Sequence, residues 1–178
     1  MAKKTLLNEK EIHIILHRLA CQLIENHQDF SNTVLIGIQP RGIFLANRLV
    51  KLLKEDYNIK HITLGVLDIT FYRDDFRRRE DPLKANKTDI NFIVDNTNVV
   101  FIDDVLFSGR SIRAALTAIQ DFGRPKSIEL LVLIDRRFSR HLPIQPDYKG
   151  RQVDVIKNEQ VKVEWKENSN LDNVCIIN

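Results

Sequence analysis

The sequence predicts an α/β domain whose central, mostly parallel sheet is covered by helices. Three short and almost wholly apolar runs carry this: VLIGI (34–38), VVFID (99–103) and IELLVLID (128–135). Strands buried on both faces read this way, since neither face needs polar residues. Segments with apolar residues at helical spacing follow the first two runs, and alternation of strand and helix indicates parallel pairing through crossovers.

The elements follow in order. From Asn8 to about His27, residues Ile12, Ile15, Leu16, Leu19 and Leu23 recur at helical spacing. Asn8 with Glu11 three positions on forms a capping-box pattern. The VLIGI strand stops at Gln39-Pro40-Arg41-Gly42, after which Phe44, Leu45, Leu49, Leu52 and Leu53 resume a helical period. HITLGVLDIT (61–70) is strand-like and leads into a polar segment, about 72–98, whose apolar residues gather near 90–94. That length exceeds an ordinary connection inside a domain, and it reads as a lid, an added hairpin, or a hairpin that closes over a site. After VVFID a helix is expected from about Arg110 to Phe122, with Ile112, Ala115, Leu116 and Ile119 on one face and Gly123 ending it. KVEW (162–165) and NVCII (173–177) read as smaller edge or hood strands.

The 178 residues, 43% of them apolar, are expected to form a single domain (1–178) with a core that needs no staples. Cys21 and Cys175 lie far apart and lack CxxC or histidine companions, so neither a disulfide framework nor a zinc site is expected. The first residues hold no uninterrupted apolar stretch of signal-peptide type, and no apolar run approaches the ~20 residues of a membrane span. A soluble cytoplasmic protein without a membrane partner is expected. The net charge of +3 argues for no polyanion by itself. Its distribution raises two readings, solvated surface or a nucleic-acid face: Arg77 to Arg79 are consecutive, and Arg136, Arg137 and Arg140 cluster beside His141, with Lys149 and Arg151 nearby.

The stretch with the most chemistry is VVFIDDVLFSGRS (99–111). A buried strand runs into Asp103 and Asp104, then into Ser108-Gly109-Arg110-Ser111 at the start of a helix. Ligands of open parallel sheets bind beyond the carboxyl ends of the strands. A helix start offers free N–H groups and the positive end of a dipole, a setting that favours phosphate. Two carboxylates beside a phosphate would repel it unless they engage sugar hydroxyls, a hydrated divalent cation, or both. A plain turn with a helix-start charge would explain neither the paired acids nor the length of the glycine-bearing turn. GxxxxGK[ST] and GxGxxG are both missing.

IDDVLFSGRS resembles the phosphoribosyl-diphosphate (PRPP) signature of type I phosphoribosyltransferases. GIQPRGIFLANRL, LDITFYRDD, DDVLFSGRSIRAALTAIQDFGRPKSIELLVLIDR and LPIQPDYKGR extend the resemblance from about Glu11 to Val163. Together they are similar to the branch of bifunctional pyrimidine-operon regulators with uracil phosphoribosyltransferase activity. The resemblance implies a central sheet flanked by helices, a small hood mainly over 136–178 and a flexible β-hairpin loop over about 72–98. It implies transfer of phosphoribosyl from PRPP to uracil, giving UMP and diphosphate, with Mg2+ as cofactor and a homo-oligomeric assembly. A purine or orotate transferase would share the PRPP motif but not YRDD and LPIQPDYKGR. A different class of reading is an RNA-binding attenuator that senses UMP and has little catalytic role.

By the same resemblance, Asp103 and Asp104 contact the ribose hydroxyls and support Mg2+ largely through water and PRPP. The PRPP site comprises Pro40, Arg41, Gly42, Asp103, Asp104, Val105, Leu106, Phe107, Ser108, Gly109, Arg110 and Ser111. Residues 107 to 111 hold the 5′-phosphate, Arg41 lies on the leaving diphosphate, and Gly42 leaves room for its approach. Arg73, at the root of the mobile loop, reaches the diphosphate, although an arginine beside Asp74 and Asp75 could equally pair with them. Asp103, Asp104, Arg41 and Arg73 are thus the expected catalytic residues. Asp135, Arg136 and the stretch Val153 to Ile156, Val155 in particular, are expected near the base. Arg140, His141, Lys149 and Arg151 are expected on a face for pyrimidine-operon leader RNA. Two departures stand out. Pro40 replaces a common threonine, and residues 135–144 run one residue longer than the usual Asp-Arg-Gly-His-Arg-Glu-Leu-Pro-Ile, without its Gly-His pair. Whether a cis peptide falls at 39–40 or 40–41 stays open at this level.

Overall fold

In the computed structural model, which describes residues 3–74, 85–154 and 159–177, the three apolar runs lie side by side. They belong to a five-stranded parallel sheet ordered β3-β2-β4-β5-β6. Its strands are β2 (Thr33–Ile38), β3 (Thr63–Leu67), β4 (Asn98–Leu106), β5 (Ser127–Arg137) and β6 (Tyr148–Asp154). Helices α1 (Glu9–His27) and α2 (Gly42–Glu55) cover one face, and α3 (Arg110–Ala118) covers the other. Alternation explains the continuous apolar runs. Leu35, Val100, Ile102, Leu131 and Leu133 face the first pair of helices, while Ile36, Val99, Phe101, Leu130 and Val132 face α3.

The capping box at Asn8 is formed as expected, with the Glu11 amide donating to Asn8 Oδ1 at 3.0 Å and the Asn8 amide to Glu11 Oε2 at 2.8 Å. The helix expected over 110–122 is α-helical only to Ala118; its last turn, Ile119–Phe122, is a 3₁₀ turn that stops at Gly123 (φ 136°). Of the strand-like stretch 61–70, only Thr63–Leu67 is extended, because Asp68 Oδ1 accepts from the Thr70 amide and hydroxyl and turns the chain into a 3₁₀ turn at Thr70–Tyr72.

A second, antiparallel sheet has the order β1-β8-β7, from β1 (Lys3–Leu7), β7 (Gln160–Glu164) and β8 (Asn173–Ile177). The short α4 (Lys166–Ser169) joins the last two. It differs from the hood expected over 136–178 at both ends: β6 pairs within the main sheet, and the N-terminal residues supply an edge strand. KKTLL conceals that strand, since its first three residues are exposed and lack an alternating pattern. Arg48 of α2 binds this layer to the body through Glu167 (2.6 and 2.9 Å) and Asp172 (2.7 and 2.8 Å), lying 4.5 Å over the buried Trp165 ring. Cys21 is exposed, Cys175 is buried, and both are free. No helix among the described residues is long and apolar enough to cross a membrane.

Candidate active site

The register of β4 positions the two acids. Its pairing with β2 ends at Ile102, whereas its pairing with β5 runs on to Leu106. Asp103 and Asp104 are therefore not at the end of β4; they begin where β2 has turned away, and the gap β2 leaves opens a cleft over them. α2 starts against this point. A Cβ on Gly42 would collide with the Ile102 carbonyl oxygen and lie 3.0 Å from Asp103 Cα. The room that glycine leaves is taken by β4, a correction to its expected use in admitting a ligand. The Gln39–Pro40 peptide is cis.

Two adjoining clefts share Arg73, Asp103, Val105, Phe107 and Ser111. The first, about 620 Å3, is walled by Asp74, Leu106 and the turn Phe107–Ser111. The second, about 660 Å3, adds Gln39, Pro40, Arg41, Asp104 and Arg136, with Gln160 and Val161 from β7. The PRPP-site residues expected from the sequence thus gather here, apart from Gly42, which packs beneath.

Asp103 and Asp104 are held unlike ordinary surface acids. Burial pushes the Asp103 carboxyl well above the usual carboxylate range, reinforced by the charge of Asp104. Asp104 is also pushed up by burial, against the opposing pull of Arg41. Oδ2 of Asp104 is buried without a hydrogen-bond partner among the described residues. An orphaned carboxylate oxygen beside a second carboxylate leaves acceptor capacity that the described residues do not fill. Among the described residues no group of three or more His, Cys, Asp or Glu side chains could cage a metal by itself. The pair therefore fits a hard cation that keeps water and completes its shell from a ligand's phosphates.

The turn after β4 supplies the complementary charge. Gly109 caps α3 in the left-handed region (φ 88°), with no side-chain cap and no acid in the first helical turn. The residues that start α3 line the first cleft, and the Arg110 amide meets only the Ser108 hydroxyl, at 3.4 Å, a setting that suits an anion. Arg110 is directed to the loop root, pairing with Asp74 and donating from Nε to His141 Nδ1 at 3.4 Å. The Tyr72 hydroxyl donates to Asp121 and its backbone carbonyl accepts from Arg113 Nη2 at 3.4 Å, so the loop root is tied to α3 and the 3₁₀ turn after it.

The arginines at the end of β5 and just beyond it are each engaged within the protein. Arg136 is 6% exposed and lies 4.2 Å over the Phe107 ring, with Nη2 donating to the Glu159 carbonyl at 3.1 Å. Arg137 forms a bidentate pair with Asp154, both contacts 2.6 Å. Arg140, expected to meet RNA, turns inward onto Asp135 and four backbone carbonyls. Asp135, expected near the base, is occupied by Arg140 and by Gln152 at 3.0 Å and lines neither cleft. For Arg136, Arg140 and Asp135 burial makes pairing or stacking cheaper than a desolvated free charge, whereas the Arg137 pair with Asp154 is exposed. His141, Lys149 and Arg151 are exposed. Val155 and Arg77 to Arg79, like part of the expected loop over 72–98, lie outside the described residues.

Sequence reasoning missed Asp68, whose second oxygen accepts from the Asn86 amide at 2.8 Å and so joins the chain on both sides of the loop. The Asp-x-Thr pattern at 68–70 was its only local signal. It also missed Thr70, Asn86, Gln160 and Val161 in the second cleft.

Residues 3–168 match the model of the phosphoribosyl transferase domain, which defines the class of protein that this fold and cleft represent. Solved structures agree on the fold. A Staphylococcus aureus hypoxanthine phosphoribosyltransferase superposes with a TM-score of 0.71 at 23% identity, covering 96% of this chain and 90% of its own. The Trypanosoma cruzi hypoxanthine phosphoribosyltransferase gives 0.73 at 16% identity, covering 97% and 95%. Curated relatives named bifunctional protein PyrR match far more closely. That of Enterococcus faecalis is 39% identical over 99% of this chain and 97% of its own, and that of Desulfosudis oleivorans is 42% identical over the same shares. The chain belongs to the PyrR family of type I phosphoribosyltransferases.

Proposed function

We propose that the protein transfers the phosphoribosyl group of PRPP to uracil, releasing UMP and diphosphate. One observation carries this reading: an acid pair, with an orphaned oxygen on the buried Asp104, and a glycine-capped helix start line two adjoining clefts that share Asp103. Phosphate and sugar diol have separate, adjacent receptors there. The bond from C1 to the diphosphate oxygen breaks, the bond from C1 to uracil N1 forms, and the N1 proton leaves. Positive charge grows on the sugar ring in between, and Asp103 and Asp104 stabilise it by preorganised electrostatics. Phe107 to Ser111 hold the 5′-phosphate and fix C1 relative to the base. Arg41 and Arg73, on the walls of the second cleft, bind the leaving diphosphate.

Mg2+ would be held by Asp103 and Asp104, through water and PRPP oxygens, and would supply neutralisation of diphosphate charge. The base is placed in the second cleft, with Arg136 and Phe107 as one wall and Val161 as another. Uracil, hypoxanthine, guanine and orotate should each be supplied with PRPP, with and without Mg2+. UMP formation dependent on Mg2+ is expected; turnover of a purine with uracil ignored overturns the base assignment.

The relatives' designation as bifunctional supports a second activity, binding of pyrimidine-operon leader RNA promoted by UMP. His141, Lys149 and Arg151 remain its candidates, since their side chains are exposed. Salt-sensitive RNA binding that strengthens with UMP is expected; affinity indifferent to UMP contradicts it. A homo-oligomer is proposed as well, consistent with the exposed apolar Ile14 and Phe138 and checked by light scattering.

A further inference from the structure

The loop after β5 departs from the family pattern, and it is also where the structure concentrates hydrogen bonds around one side chain. Arg140 Nε donates to the Ile144 carbonyl at 2.9 Å. Nη1 donates to the carbonyls of Leu106 (3.1 Å), Phe107 and Arg136 (3.1 Å), and Nη2 to Asp135 Oδ1. The adjacent amide of His141 donates to the Ser108 carbonyl at 3.0 Å. Three successive carbonyls, of Leu106 at the end of β4 and of Phe107 and Ser108 in the turn, are thereby held from the same segment.

Peptide planarity gives this a consequence. In a trans peptide the C=O of one residue and the N–H of the next point in opposite directions. Fixing the carbonyls of Leu106, Phe107 and Ser108 against residues 140–141 turns the N–H groups of Phe107, Ser108 and Gly109 the other way. Those three residues line the first cleft. Side-chain packing reinforces the set, because a Cβ on Gly109 would lie 3.2 Å from Ile144 Cδ1 and 3.5 Å from Leu142 Cβ. Asp135 fixes the guanidinium in turn, itself braced by Gln152 at 3.0 Å.

We propose that Arg140 is a positioning residue for catalysis: from outside the cleft, it holds the carbonyls of Leu106 and Phe107 where the turn begins, so that the amides of Phe107 and Ser108 are preset for a 5′-phosphate. It acts through the turn and touches no substrate. The claim rests on the reading of 107–111 as the 5′-phosphate receptor, and it removes Arg140 from the RNA-binding set. A lysine at 140 keeps a cation for Asp135 but lacks the planar fork that reaches several acceptors at once.

The test compares UMP with uridine, which differ only in the 5′-phosphate, by calorimetric titration of the wild type, Arg140→Lys and Arg140→Ala. The wild type is expected to bind UMP more tightly than uridine. Arg140→Lys should shrink that ratio by about tenfold or more, as expected when charge-assisted hydrogen bonds that order the turn are lost, with uridine affinity held within about twofold. Methylguanidinium added to Arg140→Ala should restore part of the ratio. An unchanged ratio in both variants overturns the proposal, as does a loss of leader-RNA affinity with the ratio intact. Variants that lose cooperative melting with or without methylguanidinium also count against it, because the claim confines the role to the turn. A wild type that binds UMP no better than uridine defeats the 5′-phosphate reading itself, a separate outcome.

Discussion

The amide of Asp104 donates to Oδ1 of Asp103 at 2.9 Å, so the acid pair is internally braced while Oδ2 of Asp104 stays without a partner among the described residues. Burial penalises ionisation of both groups, and each carboxyl is pushed above its ordinary value of 3.8. For a carboxylate this direction means that ionisation costs more in the folded chain than in the unfolded one. Stability contributed by the protonated forms is complete below 3.8 and is lost as pH rises through the elevated folded values. At neutral pH the pair therefore works against folding. Asp103→Asn and Asp104→Asn should each keep or raise the melting temperature while lowering turnover by about a hundredfold or more. Calorimetric melting beside a steady-state assay checks both halves.

The same elevation makes ligand binding release protons. If Mg2+ and PRPP require both carboxylates ionised, binding at mildly acid pH must expel the protons they hold. Titrations in buffers of different ionisation enthalpy should report net proton release that declines towards alkaline pH. In the Asp103→Asn Asp104→Asn double variant this release should disappear.

Arg136 is buried over Phe107 with its Nε unpaired among the described residues, in the wall of the second cleft. Arg136→Met keeps the stem and removes the buried charge. It should raise the KM for uracil by about tenfold or more, as loss of a charged hydrogen-bond donor predicts, with the KM for PRPP little changed. Initial rates with each substrate varied in turn separate the two.

Asp68 accepts from three donors, the amide and hydroxyl of Thr70 and the amide of Asn86. Truncation leaves the buried Thr70 amide and hydroxyl unmatched, so Asp68→Ala should cost about 2 kcal/mol or more of stability. Asp68→Asn retains an acceptor and should cost less. Urea denaturation followed by tryptophan fluorescence measures both.

The second sheet carries its own acid sensitivity. Lys3 at 2.7 Å and Lys162 at 3.1 Å hold the Glu164 carboxyl down, from 4.5 to about 2. A depressed carboxyl stabilises the fold above its unfolded value, so this contribution is complete above 4.5 and fades as pH falls towards 2. Melting temperatures of the wild type and Glu164→Gln should differ near neutrality and converge in strong acid.

Much of this was legible from residues alone, for identifiable reasons. A strand covered on both faces must be apolar throughout, which exposed β2, β4 and β5, and the capping box marked the start of α1. The cleft-lining residues 103–111 were legible because a strand end, paired acids and a Ser-Gly turn form one local string. The N-terminal edge strand was not, since pairing with β8 uses backbone groups that any side chain permits. Nor was the fate of the arginines at the end of β5 and just beyond it. Composition shows charge, but only the fold decides that Arg137 meets Asp154, that Arg136 stacks on Phe107 and that Arg140 turns inward. Asp68 escaped notice because its partner Asn86 is eighteen residues away.

Calorimetric titration of PRPP with Mg2+ into the wild type and into the Asp103→Asn Asp104→Asn double variant bears most directly on the paired acids. Binding by the wild type that needs Mg2+ and is lost in a double variant that melts normally is the predicted result. Equal affinity in the two proteins, or binding by the wild type indifferent to Mg2+, would contradict it.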